Sequence, residues 1–178
     1  GLIKADGGEV YLTTQALSSV LDGMVNNTGI IEAQTLENKN GKVVLFAHGG
    51  TANIAGTITA HDGFVETSGT TLNVAEGTTV RAKTWLLDPT NITIASNGTE
   101  TLSGDPATTA TAGDVTISGS TISSSLDNGT SVLLEATNNI IVNDTITKTS
   151  GIDTTLMLKA GNNISLTSGQ SMSSSFNK

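Results

Sequence analysis

The chain contains no cysteine, so neither a disulfide nor a thiolate-held metal can form within it. That absence fixes no compartment, because large secreted solenoids need no such staples. Aromatic residues make up only 3% of the 178 residues, and the 8 lysines and arginines are scattered rather than clustered. A nucleic-acid surface needs a basic face and aromatics on which bases can stack, so that partner class is set aside. No apolar run approaches the roughly 18 residues of a membrane span. Charged residues are only 13%, too few for helical repeats built from Glu, Lys and Arg on a 3.6-residue period.

What is abundant is Thr, Ser, Asn and Gly, interleaved with apolar runs of two to four residues that alternate with a period of two. Thr, Val and Ile suit a pleated surface, and the Gly and Asn clusters between them are turn chemistry. The segments also repeat. SVLLEATNNIIV (131–142) lies without a gap on TLMLKAGNNISL (155–166), placing Leu134 on Leu158, Ala136 on Ala160, Asn138 on Asn162, Asn139 on Asn163 and Ile140 on Ile164. Upstream, Val43 maps on Val65, Ile58 on Val80 and Ala60 on Ala82 at a neighbouring offset. Self-similarity at such a period marks units too short to bury their own apolar face, which must therefore stack on copies of themselves. The pattern predicts an all-β fold, a right-handed parallel β-helix with about 22–24 residues per rung, each rung having room for two or three short strands. At about 4.8 Å per rung the chain would make seven or eight rungs.

Mean hydropathy is +0.03, as expected of a solenoid that hides every second side chain along each strand. The 16 acidic residues give a net charge of −8, which keeps a Thr-rich rod soluble and opposes edge-to-edge pairing. Val10 and Leu12 should point inward. Residues 15–25 break the alternation, since Leu17, Val20, Leu21 and Met24 recur at i, i+3, i+4 and i+7, and they predict a short helical excursion. Residues 95–112 are polar, carry Pro106 and lack a core pattern, so they predict a loop or junction between two regular blocks. The opening at Gly1 and the trailing GQSMSSSFNK both lack capping patterns, and the chain is expected to be a segment of a longer solenoid.

Several of these segments together carry a resemblance. GLIKADGGEVYLTTQALSSVLDGMVNNTGIIEA, NGKVVLFA, GTITA, DGFVETSG, TWLLDPTNITI, NNIIVNDTITK and LKAGNNISL, in that order, resemble the filamentous-haemagglutinin-type exoproteins that Gram-negative bacteria export by two-partner secretion. The resemblance spans nearly the whole chain. It implies a right-handed parallel β-helix, an outer-membrane β-barrel exporter as partner, a secreted or cell-surface location, and a role in adhesion, aggregation or biofilm through a host or bacterial receptor or glycan. On it, residues 1–94 would be the end of a secretion-type β-helix domain, 95–112 a junction, and 113–178 a continuing shaft. One departure stands out: the family's Asn-Pro motifs have no counterpart, since the only prolines are Pro89 and Pro106. Related scaffolds capture haem proteins or deliver contact-dependent toxins, and these are the alternatives within the resemblance.

Candidate chemistry is sparse. His48 (FAHGG) and His61 with Asp62 (TAHDG) could ligate a metal only if neighbouring turns met, yet about half a rung separates them, so turn or surface histidines are expected. A polysaccharide-acting β-helix needs a carboxylate pair roughly 5–9 Å apart. Four Asp residues instead precede Gly or Asn-Gly in turn contexts (Asp6, Asp22, Asp62, Asp127), and no acidic pair recurs on adjacent rungs. No Gly-x-Ser-x-Gly elbow is present. No catalytic, cofactor-binding or metal site is therefore expected. Asn-x-Ser/Thr sequons begin at Asn26, Asn91, Asn97, Asn128, Asn143 and Asn163, as chance in so Asn- and Thr-rich a chain allows. Among them Asn97 and Asn128 lie in loop-like sequence and are the candidate glycosylation sites that the resemblance suggests. Trp85, the single tryptophan, should cover an apolar rung.

Overall fold

The computed structural model describes residues 1–5, 8–15, 24–32, 41–96 and 114–175. Among these residues it is a parallel β-solenoid with one short helix. The strands are β1 (Leu2–Lys4), β2 (Glu9–Gln15), β3 (Met24–Asn27), β4 (Ile30–Glu32), β5 (Lys42–Ile54), β6 (Thr57–Val74), β7 (Thr79–Asp88), β8 (Asn91–Ala95) and β9 (Asp114–Ile117). After helix α1 (Gly119–Asp127) come β10 (Ser131–Ala136), β11 (Asn139–Asn143), β12 (Ile146–Lys148), β13 (Leu156–Ala160), β14 (Asn163–Leu166) and β15 (Met172–Ser174).

All strand pairs among the described residues are parallel. The long strands turn corners, where the register slips between Ala47 and Thr51 and between Ala60 and Phe64. Asp62, at φ 57°, sits at the second of these corners, in a left-handed conformation that Asp tolerates. The corners divide the coil into three faces. The first stacks β1, β4, residues 57–60 and residues 79–82. The second stacks β2, residues 42–47, 64–68 and 84–88, then β10 and β13. The third stacks β3, residues 51–54 and 71–74, then β9, β8, β11 and β14.

The registers read from the repeats hold: Val43 pairs with Val65, Ile58 with Val80, Leu134 with Leu158 and Ile140 with Ile164. Inside the coil Val43, Leu45, Val65, Leu87, Leu134, Ile140 and Val142 are fully buried, Val10 is buried and Leu12 packs against the core. Covering one such side chain is worth about 1.5–3 kcal/mol. Their partners in the last described rung are less covered, with Ile164 and Leu166 about half exposed, because no described strand lies over them. Trp85 is enclosed within the coil, and its indole N–H donates to Thr67 Oγ1 at 3.0 Å, satisfying the one polar atom it brings inside.

The helical excursion expected over 15–25 falls mostly outside the described residues. Gln15 closes β2 and Met24 opens β3, while Leu17, Val20 and Leu21 lie outside the described residues. The helix that is present, α1, interrupts the second block at GSTISSSLD, a stretch of poor helix formers. It is held by its surroundings. Ser118 caps its first turn by accepting from the Thr121 N–H at 3.1 Å, and Asp144 accepts from Gly119 N–H at 2.8 Å. Ile122 and Leu126, one turn apart, are buried, and Gly129 at φ +86° ends the helix.

Helix α1 takes a strand's place in the first face, and hydroxyls take over the ladder around it. Thr130 Oγ1 donates to Val80 C=O at 3.1 Å and accepts from Ala82 N–H at 2.9 Å, while Ser123 Oγ accepts from Thr147 N–H at 3.0 Å in β12. No β7 or β12 backbone group in these bonds is left without a partner, as burial requires. On the third face β9 slots between β6 and β8, although it follows β8 in the chain.

Candidate functional site

Outward side chains form columns that run along the rod, because each parallel pair sets like positions about 4.8 Å apart. On the second face one column reads Tyr11, Val44, Glu66, Leu86, Leu133, Met157. The adjoining column includes Phe46, Ser68 and Asp88, and continues with Glu135 and Lys159. Tyr11 donates to Glu9 and carries the Lys42 ammonium 5.3 Å from its ring centre. A hydrogen bond to Tyr11, then the charges of Tyr11, Glu9 and Glu66, outweigh partial desolvation and hold the Lys42 pKa above its ordinary value. Asp88, Glu135 and Lys159 line a groove of about 300 Å³ together with Ala136, Thr137, Ala160 and Gly161.

This arrangement corrects the expectation that no acidic pair stands on adjacent rungs. Leu87 pairs with Leu134, so the next residues, Asp88 and Glu135, are neighbours across 47 positions of sequence. Partial burial, then the nearby carboxylates of Glu135 and Glu66, push the Asp88 carboxyl above the usual range, while Lys159 works in the other direction. Lys159 forms an ion pair with Glu135, which in turn raises the lysine's own pKa. The lysine on the same column neutralises part of the charge, and the pair sits on an open sheet with no aromatic side chain lining its groove.

A second, wider groove of about 540 Å³ runs beside α1 and is lined by Ser, Thr and carboxylate side chains, among them Glu76, Ser120, Asp127 and Asp144. Most of its oxygens already serve the fold. Asp127, read from sequence as a turn residue capping its own backbone, instead ends α1 and reaches to the next rung, accepting from Thr149 N–H (2.8 Å), Thr149 Oγ1 (2.7 Å) and Ser150 N–H (3.0 Å). Burial alone would raise its pKa; those three bonds and Lys148 outweigh it, and the net shift is downward.

His61 and Asp62 form an exposed pair at 3.1 Å on the corner between the first and second faces. His48 lies in β5, at the corner between the second and third faces, paired in register with Gln15. The two histidines therefore stand at different corners, and among the described residues no three His, Asp or Glu side chains gather as a metal site.

The sequons differ in what the fold leaves free. Asn91 is committed: its Nδ2 donates to Asp114 at 2.7 Å and its Oδ1 accepts from Asn139 N–H at 3.1 Å. Asn163 donates to Asn139 at 3.4 Å, which extends the same ladder, and Asn162 donates to Asn138 at 3.4 Å beside it. Asn128 is exposed at the end of α1, but Thr130 of its sequon is fully buried in the ladder described above. Asn143 and Thr145 are both exposed. Asn97 lies outside the described residues, as do 97–112 of the anticipated junction. The stacking of Asn163 on Asn139 follows from the repeat offset, whereas the contact of Asn139 with Asn91, 48 positions away, was invisible in sequence.

No helix among the described residues is long and apolar enough to cross a membrane. No family profile matches the chain, and no solved structure matches it. Among curated proteins, a 51-residue stretch is 43% identical to the heme/hemopexin-binding protein of Haemophilus influenzae, covering 26% of this chain and 6% of that much longer protein.

Proposed function

We propose that this chain is a solenoid segment of a large protein that Gram-negative bacteria export by two-partner secretion through an outer-membrane β-barrel partner, and that it works outside the cell by binding rather than catalysis, as the shaft of an adhesin. One observation carries the reading: in-register rungs with an apolar interior occur in a chain whose ordered motifs resemble filamentous-haemagglutinin-type exoproteins. A rod of this kind is suited to holding adhesive parts away from the surface. The 43% match to a heme/hemopexin-binding protein favours a second reading on the same scaffold, capture of a haem-carrying host protein.

The full-length gene, expressed in a Gram-negative host with and without its neighbouring exporter gene, tests the route. Protein in the medium or on the cell surface only when the exporter is present supports it; equal export without the exporter refutes it. Attachment of the expressing cells to epithelial monolayers tests the adhesin role, and surface plasmon resonance against haem-loaded hemopexin tests the second reading. Glycosylation at Asn97 or Asn128 belongs to the same proposal. Since Thr130 is buried, the Asn128 sequon would have to be read before its rung closes.

A further inference from the structure

The outer faces of the rod are not alike. On the third face the outward column of Asn53, Asn73, Thr116, Thr93, Ile141 and Ser165 is polar but for one residue. On the second face Leu86, Leu133 and Met157 follow one another on consecutive strands, with Met157 53% exposed and the two leucines part-exposed. Single apolar residues on a surface need no explanation, whereas an aligned ridge of them does. One column over lies the charged groove of Asp88, Glu135 and Lys159.

We propose that the outer face of β7, β10 and β13 is a docking surface for a protein segment that lays an apolar side chain on the Leu86–Leu133–Met157 ridge and places a lysine or arginine in the groove beside Asp88. The placement rests on the protein-binding reading above and says where on the rod that binding occurs. Charge selects the occupant. Within this face the carboxylates of Glu9, Glu66, Asp88 and Glu135 outnumber the ammonium groups of Lys42 and Lys159, and Lys159 is already paired with Glu135. An incoming cation would therefore meet charge that the fold leaves uncompensated. A second copy of this chain is disfavoured, since it would bring the same acidic face against itself. Anionic ligands are repelled for the same reason. The dimensions fit a short segment: neighbouring outward columns are about 7 Å apart, and three strands span roughly 10 Å, room for an apolar residue and a basic one two positions away in an extended chain.

The test uses the exported full-length protein and the haem-loaded serum carrier of the preceding section, read by surface plasmon resonance at low and physiological salt. Leu133→Lys should weaken binding about tenfold or more, and Asp88→Lys should slow association and flatten its salt dependence. Leu133→Met and the third-face control Ile141→Lys should remain within about twofold of wild type, as surface changes outside an interface do. Trp85 fluorescence checks that each variant is folded. Unchanged binding by folded Leu133→Lys and Asp88→Lys would overturn the placement while leaving the carrier reading intact. No binding by the wild type would overturn both. A dimer in sedimentation that Leu133→Lys dissolves, with carrier binding untouched, would give the face to a second copy and equally overturn the proposal.

Discussion

Leu87, Leu134 and Leu158 occupy one inward column of the second face, so truncating each to alanine removes the same atoms from sites that differ only in coverage. The first two are fully buried with a rung on either side; Leu158 is only partly buried, with a rung on one side. Leu→Ala deletes the equivalent of three methylene-sized groups, about 2.4 kcal/mol of transfer free energy at about 0.8 each. A covered site adds the cost of the void, about 24 cal/mol per Å³ that fails to collapse, for a total near 3–4 kcal/mol. At Leu158 about half the transfer term applies and solvent fills the space, so about 1 kcal/mol is expected. Urea unfolding of the 178-residue chain, followed by Trp85 fluorescence and by circular dichroism, measures all three. Equal costs at Leu134 and Leu158 would refute the idea that the neighbouring rung sets each rung's stability. A cost below about 1 kcal/mol at Leu134 would remove it from the core altogether.

The Asn ladder should be unequal. Asn91→Ala strips partners from Asn139 and Asp114 and should cost about 1–2 kcal/mol in urea unfolding, whereas Asn138→Ala, which loses one long bond at 3.4 Å, should cost a few tenths. Thr130→Val keeps the shape but leaves Val80 C=O and Ala82 N–H unpaired, and should cost about 1–3 kcal/mol, with Thr130→Ser recovering most of it. Because the folded-state pKa of Asp88 is raised, its contribution favours the fold below the unfolded-state value and is lost as pH rises through the folded value. Asp88→Asn should therefore stabilise the chain at pH 7 by no more than about 1 kcal/mol, and the gain should vanish in melting curves below about pH 4.

The stack was legible in the sequence wherever the repeat ran without interruption. The offsets that align Leu134 with Leu158 and Val43 with Val65 are chain properties, and burial enforces them, since a one-residue slip would turn every inward side chain outward. What could not be read lies on either side of the insertion between β8 and β10. Leu87 and Leu134 are as closely paired as any two residues in the rod, yet nothing in a regular repeat announces a partner 47 positions away. The acidic neighbours Asp88 and Glu135 were missed for that reason alone. Helix α1 was missed because its Ser and Thr residues signal caps and turns, and its apolar signal is only Ile122 and Leu126. The fold selects a helix there through Ser118, Asp144 and the core beneath.

The position of β9 bears on the order in which the rod can be assembled. Most rungs can close as soon as the next 20 or so residues arrive, so a chain emerging end first could wind itself up step by step. Among the described strands that succession fails at β9. When β8 has emerged, the strand that must lie between it and β6 has not, and it arrives only with residues 114–117. The longer loop is itself a small obstacle, since doubling a loop adds only about 0.6 kcal/mol of closure entropy. The greater constraint is sequence of events: β8 must wait undocked, or dock on β6 in error and let go. Winding should therefore proceed quickly through β7, pause until β9 and α1 are in place, and then resume, which makes the middle of the rod its slowest step and its natural point of misassembly.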